Sequence, residues 1–65
     1  MNRIRELRKY KNITQEYLAQ QLGVAKLTIS KWERGIHQIK SDKAEMLSSI
    51  LGVPLPYLLG IDDVS

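Results

Sequence analysis

Residues 15–34 read QEYLAQQLGVAKLTISKWER, and the spacing of the small and apolar side chains in this stretch decides the fold. Thr14, just ahead of it, is a good N-cap, and Ile13 before that is placed to staple onto Leu18, the fourth helical residue. The pattern predicts one helix from Thr14 to about Gln21 and another from roughly Ala25 to Arg34, ending at Gly35. Gly23 falls between them, where a residue that tolerates positive φ is needed to end the first helix. Two short helices joined by so tight a turn can cross steeply only where the crossing point is narrow. Ala19 supplies that point, and Leu18, Leu22, Val24, Ile29 and Trp32 fall on the inner surface of the corner. At this spacing Trp32 reads as core.

The flanking sequence is helical as well. A first helix is expected from Asn2, as its N-cap, to about Lys9, with Ile4 and Leu7 on one face. Asn12 can take the left-handed conformation that closes it. A fourth helix is expected from about Ser41 to Leu51, with Ala44, Leu47 and Leu51 on one stripe and Gly52 as its stop. A last short turn, about Leu55 to Leu59, follows Pro54 and ends at Gly60. Alternating β-branched runs are absent, as are internal repeats. The expectation is an all-α, compact bundle of five short helices: one domain over residues 1–60 and a C-terminal tail at 61–65.

Composition narrows the function. Hydrophobic residues make up 43% and charged residues 26% of the 65, which is globular and argues against disorder. A domain this short buries only roughly 60% of its unfolded surface, so its stability is marginal. With no cysteine, disulfides, Cys-based zinc sites and a thiol nucleophile are excluded, and one histidine, His37, is too few for a His-based metal cluster. No cofactor is expected, and no nucleophile–base constellation suggests an enzyme. No apolar run approaches 18 residues and no signal-peptide core follows the charged N-terminus, so a cytoplasmic protein with no membrane partner is expected. Charge is lopsided. All ten Lys and Arg lie in residues 1–43 against four acids, a balance of +6, whereas residues 44–65 carry three acids and no base. Such a chain can dock one face on a polyanion.

The outward positions of the third helix are Lys26, Leu27, Ser30, Lys31 and Arg34, polar or basic apart from one leucine. The DNA major groove admits an α-helix with such a face. The segments IRELR, ITQEYLAQQLGV, TISKWERG and LGVPLPYLLG together resemble, in residue type and spacing, the helix-turn-helix of the phage repressor and Cro family, transcriptional regulators also called the xenobiotic-response-element family. The resemblance covers nearly the whole chain. It implies a lambda-repressor-like domain, with the helix-turn-helix formed by the second and third helices, that binds double-stranded DNA at a pseudo-palindromic operator as a homodimer. Within the family, such regulators are most often repressors.

Roles follow from the resemblance position by position. Lys26, Leu27 and Lys31 match residues that meet base edges. Thr28, Ser30 and Arg34 lie where the phosphate backbone passes, and Lys40, before the fourth helix, is similarly placed. Gln15 matches a glutamine that contacts phosphate and braces the first residue of the recognition helix. Arg8 and Glu33 match an ion pair between the first helix and the end of the third. Leu55 and Tyr57 are the candidates for a dimer interface, with Leu58 or Leu59 in the core. The chain departs from the family pattern at Ala25, which stands where Ser or Thr usually caps the third helix, and at Ile39 and Lys40, which replace a common Pro–Ser start of the fourth. Leu27 replaces a usually polar reader. A leucine can touch a thymine methyl; alternatively it is core, if the third helix is rotated. A protein-interaction module, an antitoxin-like or adaptor domain on the same fold, is the competing class; Lys26, Lys31 and Arg34 count against it.

Overall fold

In a computed structural model that describes residues 2–61, five helices follow one another: α1 Ile4–Tyr10, α2 Gln15–Leu22, α3 Lys26–Glu33, α4 Ser41–Leu51 and α5 Leu55–Leu59. Beyond Ile61, the expected tail lies outside the described residues. Local chemistry sets each boundary. Thr14 Oγ1 accepts from the Tyr17 N–H at 3.0 Å, satisfying one of the donors left open at the start of α2. At its other end Gly23 sits at φ 70°, and the Val24 N–H donates to the Ala19 carbonyl at 3.0 Å, the doubled-back bond of a left-handed helix stop. Asn12, at φ 58°, performs the same service for α1 without being glycine, letting the Ile13 N–H reach the Arg8 carbonyl at 2.9 Å. Ala25 leads α3 in an extended conformation and offers no side-chain cap.

Two helices differ from their expected bounds. α1 begins at Ile4, not next to Asn2, because Asn2 stands outside the helix. Its Oδ1 accepts from the Ile4 N–H at 3.1 Å, while its Nδ2 donates to the Trp32 carbonyl at 2.8 Å, tying the chain start to the last turn of α3. α3 is shorter at each end than the apolar pattern suggests, with Arg34 as its C-cap.

The core is a single cluster to which every helix contributes. Ile4, Leu18, Leu22, Ile29, Leu47, Leu51 and Leu58 are essentially fully buried, with Ala19, Trp32 and Ala44 close behind. Val24, Leu7 and Ile13 pack half-buried around it. At Ala19 the small side chain is buried at the α2–α3 corner, where a larger one would force the helices apart. Lys43 of α4 donates from Nζ to the Leu22 carbonyl at 2.8 Å, placing a cation on the C-terminal end of α2. Arg3 fastens the short α5: its N–H donates to the Leu58 carbonyl at 2.9 Å, and its guanidinium lies 4.2 Å over the Tyr57 ring.

Candidate nucleic-acid interface

α3 has two faces with opposite chemistry. Ile29 and Trp32 point into the core and fix its rotation. On the outside, Leu27 is 58% exposed, so the rotation that would make it core is not adopted. Lys26 and Arg34 are exposed, and Thr28, Ser30 and Lys31 are half-buried along the flanks. Helical spacing sorts these residues into two stripes: Lys26, Ser30 and Arg34 recur every four residues, and Leu27 and Lys31 form a neighbouring pair. The residues assigned to base edges therefore do not form one row.

The Lys26–Ser30–Arg34 stripe borders an open cleft of about 890 Å³ between α3, the start of α2 and the outer side of α1. Thr14 and Gln15 line it, as do Arg5 and Lys9 of α1. Leu27 and Lys31 lie outside the cleft lining, as does Lys40, which is exposed at the N-cap of α4.

A charged cluster holds this surface together. Arg8 Nε donates to Glu33 Oε2 at 2.6 Å, and its Nη2 to Oε1 at 3.3 Å. The third arm of the guanidinium, Nη1, donates to the Ile13 carbonyl at 3.0 Å. The fork thus grips α3 and the loop before α2 from α1, a geometry lysine cannot reproduce. Gln15 differs from its expected bracing role. Its Nε2 donates to Glu33 Oε1 at 3.0 Å, so it braces the last residue of the recognition helix rather than the first. The reason is electrostatic: Glu33 is nearly water-free, its side chain only 3% exposed, and a carboxylate there draws every donor within reach.

The two residues offered for a dimer interface are partly engaged within the chain. Leu55 packs half-buried against the core, and the Tyr57 ring carries the Arg3 guanidinium. Several features were not read from the sequence: the bonds of Asn2, Arg3 and Lys43 to distant carbonyls, and the cleft-lining bases Arg5 and Lys9. A signal existed for the last two, since they sit four residues apart on one face of α1.

Comparison with known proteins adds identity to this geometry. Residues 4–58 match a family model described as helix-turn-helix. The chain is 36% identical over 62 residues to the HTH-type transcriptional activator BcrR of Enterococcus faecalis, covering 95% of this chain and 30% of that protein. It is 34% identical over 61 residues to the uncharacterized HTH-type transcriptional regulator YobD of Bacillus subtilis, covering 94% and 54% respectively. It is also 34% identical over 58 residues to the cryptic phage CTXphi transcriptional repressor RstR of Vibrio cholerae, covering 89% and 52%. The chain thus spans between 30% and 54% of the length of these relatives.

Proposed function

We propose that this chain, which belongs to the helix-turn-helix family of phage repressor and Cro type, binds double-stranded DNA with sequence preference and regulates transcription, as a repressor. The observation that carries this is α3: anchored through Ile29 and Trp32, it turns Lys26, Leu27 and Lys31 outward on one side of a basic surface. Lysines and arginines displace condensed counterions from phosphates, which supplies affinity without sequence information. Base edges met by Lys26, Leu27 and Lys31 supply the discrimination. Thr28, Ser30, Arg34, Lys40 and Gln15 then set register on the backbone. Gln15 serves from its half-buried place beside Glu33.

Two copies on a pseudo-palindromic operator present their α3 helices about 34 Å apart, one helical turn. We assign their contact to the α5 end, around Leu55 and Tyr57. Among the described residues no helix is long and apolar enough to cross a membrane. A regulator of this kind works where the genome is, and the cytoplasm is the compartment we assign to it.

Sedimentation with a two-half-site duplex, repeated across a salt series, tests both parts. With about five phosphates neutralised per subunit, affinity falls by a few hundred-fold for a fourfold rise in salt, and two chains load per duplex. Affinity that stays flat with salt removes DNA binding. Strict one-to-one loading removes the dimer.

A further inference from the structure

We propose that α1 is a second DNA-gripping element: Arg5 and Lys9 form the far wall of the cleft and hold phosphates of the strand that flanks α3. This rests on the DNA-binding function above and extends its footprint beyond the helix-turn-helix. Both side chains are exposed and line the cleft, across from Lys26 and Arg34. They lie on one face of α1, separated by about 6 Å of helix rise. Arg8, between them in sequence, also lines the cleft but is spent on Glu33.

Charge in the cleft is not balanced from within. Five cations line it against two carboxylates, Glu16 and Glu33. Glu33 is already taken by Arg8 and Gln15. None of Arg5, Lys9, Lys26 and Arg34 is ion-paired among the described residues. Four unpaired cations around one open space repel each other, and a polyanion entering that space relieves the repulsion. Lys26 borders both the cleft and the exposed face of α3, so a strand that follows the groove edge past α3 runs into the cleft. A double-stranded DNA backbone fits this continuity.

The test is fluorescence anisotropy on a short random-sequence duplex over a salt series, comparing wild type, Arg5→Gln with Lys9→Gln, and Lys11→Gln. Lys11 is an exposed base at the end of the same helix and outside the cleft lining. For the double variant the slope of log affinity against log salt falls by about 1.8, two phosphates' worth, and low-salt affinity falls roughly tenfold. Its melting temperature stays at the wild-type value, because neither side chain is buried. A steep wild-type slope that the double variant leaves unchanged, or lowers no more than Lys11→Gln does, overturns the cleft while leaving DNA binding intact. A flat wild-type slope overturns both.

Discussion

Glu33→Ala lowers the unfolding free energy by about 3 kcal/mol, close to the cost of leaving one partner of a buried pair uncompensated. The Arg8 side chain is 11% exposed and cannot turn to water without abandoning the Ile13 carbonyl, so its charge stays stranded. Gln15 loses its acceptor at the same time. A chain of this size has roughly 3–10 kcal/mol in all, so the variant sits near the edge of folding. Melting shifts down by more than about 10 °C. Arg8→Ala has a similar effect, because Glu33 then keeps only the Gln15 amide. The double variant Arg8→Ala with Glu33→Ala is destabilised by clearly less than the two single losses added, since no charge is left unpaired. Melts of all four proteins measure the coupling, and additive losses would show that the two side chains do not act together. DNA affinity follows the same order wherever the chain stays folded, because the cluster fixes α3 against α1.

Leu58→Ala costs about 3 kcal/mol and releases α5. Five residues cannot hold a helix in water by propensity, so α5 exists because it is docked. Leu58 is the one fully buried side chain it contributes, and the Leu58 carbonyl also receives the Arg3 N–H. Calorimetry on Leu58→Ala beside Leu59→Ala checks this: Leu59 is half-buried and its loss costs less than half as much. Equal effects would mean that α5 is seated differently on the core.

The helices were readable because their determinants are local. Thr14 and Gly23 each act within a turn of their own position, and α4 and α5 end at the left-handed stops that Gly52 and Gly60 supply. Asn2 shows the limit. An asparagine that caps a helix and one that bonds two residues ahead look alike in sequence; what separates them here is the Trp32 carbonyl, thirty residues away. The surface of α3 was legible for the same reason as the helices, since the apolar pair Ile29 and Trp32 fixes which side is left for solvent. The cleft beside its Lys26–Ser30–Arg34 stripe, and the pairing of Gln15 with Glu33, depend on how α1 and α2 lie against α3. That disposition is set by core packing across the whole chain, so composition and periodicity carried no trace of it.

The proposed reading of DNA by the outer face of α3 is isolated at Leu27, which is exposed, uncharged and on the stripe away from the cleft. The direct measurement is selection of bound sequences from a randomised duplex pool by wild type and by Leu27→Ala, with melting curves for both. Wild type enriches a half-site containing a thymine whose C5-methyl meets Leu27. Leu27→Ala melts as wild type does, loses the preference at that one position and binds the selected site more weakly by about 1 kcal/mol. No enrichment by the wild type, or a half-site that Leu27→Ala recovers unchanged at every position, would contradict the proposed reading.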